Sequence, residues 1–147
     1  RAEASAMINI DMQAVGDWAE RRGLPYAGYQ DLAQKAPVVE LVRDCVEKVN
    51  ADLAADPKLC GSQIHRFVIL HKELDADDGE LTRTRKVRRR FIGEKYAGIV
   101  EALYGEAAQC AVEAQVRFED GRTGTVRAQL AIGRAKTFAP AASRSAA

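Results

Sequence analysis

Ile64-His65-Arg66-Phe67-Val68-Ile69-Leu70-His71 is the stretch on which the fold turns. It is short and largely apolar, of a length suited to a buried strand. Upstream of it, Asp56, Pro57 and Gly61 mark a loop, and before that loop lies the clearest amphipathic pattern of the chain. Pro37 suits the first turn of a helix, and Val38, Leu41, Val42, Cys45, Val46, Val49 and Leu53 then recur with the 3.6-residue period. Residues 24–35 are irregular, with Pro25, Gly28, Tyr26 and Tyr29, and leave room for a short helical turn. Asp11 can cap a further helix whose apolar face is Met12, Val15, Trp18 and Ala19, with Gly23 just past its end. Residues 4–10 place Ala4, Ala6, Ile8 and Ile10 on one side at period two, which reads as another strand.

Downstream, residues 75–79 form an acidic turn, and a strongly basic stretch follows over residues 81–90. A third helix is predicted over residues 88–104, with Ile92, Tyr96, Ile99, Val100 and Leu103 as its core face and Gly105 as its stop. Residues 112–118 and 125–132 read as two strands joined through Asp120-Gly121, a hairpin. The predicted fold class is α+β. A small β-sheet, holding the strands at 4–10 and 64–71, is covered by about three helices, and the hairpin either extends the sheet or packs as a separate appendage. Three regions follow: a principal unit over 1–105, a β-hairpin extension over 106–134, and an Ala/Ser-rich tail over 135–147 expected to be disordered.

At 147 residues the chain is long enough for one domain, and 47% hydrophobic content suits a globular core. A net charge of +1 argues against a protein working by bulk attraction to nucleic acid or membrane. Cys45, Cys60 and Cys110 form no C-x-x-C pair, and His65 and His71 add no ligand pattern, so no zinc site is expected. The cysteines are read as reduced thiols of a cytoplasmic protein, Cys45 on its helix's apolar face. No apolar run reaches the ~20 residues of a membrane span. The chain opens at Arg1 without an initiator Met, from which an excised piece is expected.

The charge that matters is local. Arg83, Arg85, Lys86, Arg88, Arg89 and Arg90 crowd into eight residues between a turn and a helix. A loop ending in a lysine can bring a point charge to a phosphate or carboxylate and neutralise charge developing in a transition state. Cations at a helix N-terminus oppose its dipole by ~0.3–1 kcal/mol, which hints at an anionic partner. Composition alone equally allows a solvated helix start, or a small nucleic-acid-binding or scaffold module using residues 83–90 as its contact surface.

Order separates these readings. Phe67-Val68-Ile69-Leu70, the run Glu80-Leu81-Thr82-Arg83-Thr84-Arg85-Lys86-Val87-Arg88-Arg89, then Glu94-Lys95-Tyr96 and Glu101-Ala102-Leu103-Tyr104 resemble the closing segment of long-chain fatty-acid–CoA ligases. These belong to the AMP-binding superfamily of adenylate-forming enzymes. The resemblance covers about residues 4–104 and leaves the hairpin outside. The family's final loop follows a pattern resembling Pro-Lys-Thr-x-x-Gly-Lys-x-x-Arg, on which Thr82, Lys86 and Arg89 match. Glu80 and Leu81 stand in place of its Pro-Lys, and Arg85 in place of its glycine.

The resemblance implies a C-terminal lid domain whose adenylation lysine is Lys86, with Arg83, Arg85 and Arg89 as contacts for phosphate or coenzyme A. It implies ATP, Mg2+ and coenzyme A for the full-length enzyme, with no cofactor held in this piece. Fatty acid and ATP give an acyl-adenylate, the lid rotates, and coenzyme A then displaces AMP. The implied partner is the N-terminal adenylating domain of the same parent chain, without which the piece is expected to be inactive. No nucleic acid is expected, and the resemblance allows peripheral membrane association of the parent.

The remaining residues have plainer readings. His65 and His71 fall on one side of their strand and are read as packing or surface residues, since no carboxylate or nucleophile is patterned with them. Trp18 is read as core, and Tyr26 and Tyr29 as packing over their loop. Asp77-Asp78 lacks the alternating oxygen ligands of a calcium loop and is read as turn.

Overall fold

The computed structural model describes residues 3–117 and 120–140. The apolar run forms β2 (Ile64–Ile69), and β1 (Ala4–Ile8) pairs with it in parallel, Ala6 opposite Phe67 and Ile8 opposite Ile69. On its other side β2 pairs antiparallel with β4 (Thr123–Arg134), which pairs in turn with β3 (Gln109–Arg117), giving the order β1-β2-β4-β3. The hairpin therefore extends the sheet, and its second strand lies inside it.

Five α-helices occur among the described residues: α1 (Met12–Arg21), α2 (Tyr29–Gln34), α3 (Ala36–Ala55), α4 (Arg89–Lys95) and α5 (Ala97–Tyr104). They cover both faces of the sheet. Phe67 and Ile69 pack with Ala19, Leu32, Ala33 and Val38 of α1–α3. Val68 and Leu70 point the other way, against Ile92, Tyr96, Ile99 and Leu103 of α4 and α5. Successive side chains of a strand alternate between faces, so burial on both sides is what makes this run apolar without alternation. Gly133 lies opposite Phe67, and a Cβ there would clash with the Phe67 ring.

Four expectations need correction. The helix predicted over 88–104 is broken at Tyr96 (φ −105°, ψ 26°). Tyr96 is drawn into the core, where its hydroxyl donates to Glu80, and Gly93 and Gly98 weaken the helix on either side. The apolar face of α3 is rotated from its reading: Cys45 and Val49 are exposed, while Val46, Asn50 and Ala54 are buried. Asn50 faces inward because it serves backbone groups. Its Nδ2 donates to the carbonyls of Ile64 (2.8 Å) and Lys136 (2.9 Å), and its Oδ1 accepts from Ile64 N (2.7 Å).

The tail expected to be loose from residue 135 is held through 138. Ala135 N donates to His65 O (3.0 Å), Lys136 N to Glu47 Oε1 (3.0 Å), and Phe138 exchanges bonds with the Gln63 amide (2.7 and 2.9 Å). Residues 141–147 of that expectation, and Phe118 at the end of the first hairpin strand, lie outside the described residues. Finally, about three helices becomes five, because residues 29–34 form their own helix and the last predicted helix is two.

Candidate functional site

The basic run does not form an irregular loop. Residues 80–88 fold back as a narrow hairpin beyond the C-terminal end of β2. Arg88 N donates to Glu80 O (3.0 Å), Leu81 bridges Val87, and Thr82 N donates to Lys86 O (2.8 Å). The turn closes with Arg85 N on Thr82 O (2.9 Å) and Lys86 N on Thr82 Oγ1 (3.1 Å). This is the three-residue hairpin loop in which a turn is followed by one left-handed residue. That residue is Arg85, at φ 62°, the only non-glycine with positive φ among the described residues. Glycine adopts this conformation without steric cost, whereas other L-residues meet a penalty of ~1–2 kcal/mol.

The base of the hairpin is built on Glu80, whose side chain is fully buried. Its Oε1 accepts from Lys72 Nζ and from Asp75 N (3.0 Å). Its Oε2 accepts from the Tyr96 hydroxyl and from Lys95 Nζ (3.2 Å). Burial alone would raise the Glu80 carboxyl. The donors from Lys72, Tyr96, Asp75 and Lys95 outweigh burial and hold it down at about 2. The converse appears at Tyr96, whose hydroxyl is raised by burial and by its bond to Glu80. Lys72 loses affinity for its proton through burial but regains more from Glu80 and Asp78, so it too is raised. Gly79, at φ 78°, makes the turn into the hairpin, and Arg88 Nη1 clamps its carbonyl (2.8 Å) while lying over the Phe91 ring.

The tip is different. Residues 83–90 are all exposed. Arg88 is bound back to Gly79, and Arg90 pairs with Glu94 one turn along α4 (3.3 Å). Among the described residues, Arg83, Arg85, Lys86 and Arg89 enter no ion pair. Lys86 and Arg85 thus share the hairpin tip, with Arg83 across the turn, while Arg89 opens α4. An open groove of about 430 Å³ at the start of α4 is lined by Arg88, Arg89, Arg90, Phe91 and Glu94. Among the described residues no group of three or more His, Cys, Asp or Glu could hold a metal ion.

Two structural residues escaped the sequence reading. In the sequence Glu80 stands out only by its motif position, and nothing there signals that Lys72 and the Lys95-Tyr96 pair converge on it. Arg66 lies within the apolar run yet is buried, its guanidinium donating to the carbonyls of Ala102 (3.1 Å), Leu103 (3.1 Å), Gly105 and Ala107. It satisfies the C-terminal carbonyls of α5, where a cation also suits the helix dipole. His71 is buried, with Nδ1 lacking a hydrogen-bond partner among the described residues. Burial and the neighbouring Lys72 lower its pKa, which fits packing rather than proton transfer.

Over about 70% of its length the chain is homologous to long-chain-fatty-acid–CoA ligases. It is 31% identical over 102 residues to the long-chain-fatty-acid–CoA ligase FadD15 of Mycobacterium tuberculosis, covering 69% of this chain and 16% of the relative. It is 28% identical over 103 residues to the long-chain-fatty-acid–CoA ligase ACSBG1 of Rattus norvegicus, covering 69% and 14%. The Homo sapiens ACSBG1 matches at 28% over 100 residues, covering 67% and 13%. The chain thus spans about one-sixth or less of the length of these curated relatives. No family model matches it, and no solved structure does. No helix among the described residues is long and apolar enough to cross a membrane.

Proposed function

We propose that this chain is the C-terminal lid of a long-chain fatty-acid–CoA ligase, and that Lys86 is the cation it delivers for adenylation. The observation that carries the reading is Arg85. It holds the left-handed conformation, φ 62°, at the position where the resemblance puts glycine. The backbone shape that a glycine would serve is thus kept where the side chain has changed, and Lys86 follows it at the tip.

Attack of a fatty-acid carboxylate on the α-phosphate of ATP brings two anions together. An ammonium beside both sets of oxygens offsets that repulsion and holds the reactants in line. Lys86, exposed and without an ion pair among the described residues, has its charge available for this. Arg83, Arg85 and Arg89 contact phosphate or coenzyme A on the same reading. ATP, magnesium and the acyl chain are bound by the N-terminal domain of the parent, and no magnesium ligand is assigned to this chain. Once the acyl-adenylate has formed, the lid turns the hairpin away and coenzyme A displaces AMP.

The test compares the isolated chain with the full-length parent, each given palmitate, ATP, magnesium and coenzyme A. The parent is expected to form the thioester and the isolated chain to give only background. Turnover by the chain alone would contradict the lid reading.

A further inference from the structure

We infer that Glu80 is the positioning residue for Lys86, setting where the lysine's charge stands during adenylation. The inference rests on the lid reading above. It is carried by the way one buried carboxylate joins three parts of the fold to the hairpin. Glu80 Oε1 is held from the bend after β2 by Lys72 and from the turn by Asp75 N (3.0 Å). Glu80 Oε2 is held from the α4–α5 junction by Tyr96 and Lys95. The same residue's backbone carbonyl accepts from Arg88 N (3.0 Å), the first rung of the hairpin.

From that rung the ladder runs without a gap to the tip. It passes through the Leu81–Val87 bridge and the two Thr82–Lys86 bonds (2.8 and 3.1 Å). Lys86 itself touches none of the sheet or helices through any hydrogen bond or ion pair among the described residues. Its place is therefore set from the base. The charge also has a use there: Glu80 pairs with both Lys72 and Lys95, and without it Lys95 would lose its carboxylate and Lys72 would keep only Asp78. Tyr96 has a matching part, since the helix breaks where its hydroxyl meets Glu80.

The test uses the full-length parent with the two half-reactions measured separately: adenylation from fatty acid and ATP, and thioester formation from preformed acyl-adenylate. Glu80→Gln is expected to slow adenylation on the order of tenfold to a hundredfold, the usual cost of misplacing a reacting group from a distance. Thioester formation should stay within about twofold, because the hairpin is not used in that step. In a Lys86→Ala background, Glu80→Gln should add little to the adenylation defect, as expected of residues that act as one unit. If Glu80→Gln does not fold, Tyr96→Phe, which keeps the ring and removes one donor, is judged by the same criteria. Equal losses in both half-reactions, or an undiminished effect in the Lys86→Ala background, would overturn the positioning role and leave the lid reading standing. Wild-type adenylation by Lys86→Ala itself would remove the lid reading, and this inference with it.

Discussion

At the base of the 80–88 hairpin one carboxylate is buried among four donors; at its tip, cations stand in solvent with no ion pair among the described residues. A charge removed from water survives only if each lone pair is met, and both Glu80 oxygens accept two donors. An exposed charge is under no such demand, since water solvates it. Folding therefore explains Glu80 and does not explain Lys86. The base answers to stability and the tip to what it meets in solution.

The largest effect expected from breaking this contrast is at the base. Glu80→Ala leaves Lys95 and the buried Tyr96 hydroxyl without their acceptor and Lys72 with Asp78 alone, and should destabilise the chain by up to ~3 kcal/mol. Denaturant unfolding of the isolated chain checks this. Arg83→Ala at the tip should fall within ~0.5 kcal/mol of wild type in the same experiment. Comparable losses at both ends would erase the distinction.

Acid sharpens it. The Glu80 carboxyl lies at about 2 in the folded chain against an ordinary 4.5. The folded state thus binds fewer protons, so the stabilisation is fully present above pH 4.5 and is lost as pH falls toward 2. Its full size is up to ~3 kcal/mol. Glu80→Gln should flatten the stability profile over that window, whereas Lys86→Ala should leave its shape unchanged. Unfolding midpoints measured from pH 6 down to 2 separate the two.

How much of this contrast was legible follows from where the interactions lie in the chain. The apolar run at 64–71 and the helices at 12–21 and 36–55 announce themselves by local periodicity, and they form. The basic tip is equally legible, since its residues are consecutive. Glu80 is not, because its donors come from Lys72, Asp75 and Lys95-Tyr96, which only the folded chain brings together. Asn50 shows the same limit. Hydrophobic periodicity points Cys45 and Val49 toward the core of α3, but an amide that bonds Ile64 and Lys136 occupies the buried face instead. The docking of residues 135–138 is likewise invisible in an Ala-rich tail, since Gln63, Glu47 and Asn50 hold the backbone and ask little of the tail's side chains. Polar contacts distant in sequence carry no period.

Smaller effects are expected at the turn. Arg85→Gly relieves the left-handed residue but adds backbone freedom to the unfolded chain, for a net stabilisation of up to ~1 kcal/mol. Arg85→Val should destabilise instead, because a β-branched side chain tolerates that region poorly. Thermal unfolding of the pair reads the sign. Smallest of all is Arg90→Ala, which removes an exposed pair with Glu94 that is worth ~0.3–0.5 kcal/mol.

The most direct measurement is the adenylation half-reaction of the full-length parent carrying Lys86→Ala, alongside Arg90→Ala. An electrostatic contact made in the transition state is worth ~2.7–4 kcal/mol, so Lys86→Ala should slow adenylation about a hundred- to thousand-fold. Thioester formation from preformed acyl-adenylate should be largely spared, and Arg90→Ala should cost little in either step. Adenylation at the wild-type rate by Lys86→Ala, or equal behaviour of the two variants, would contradict the role given to the hairpin tip.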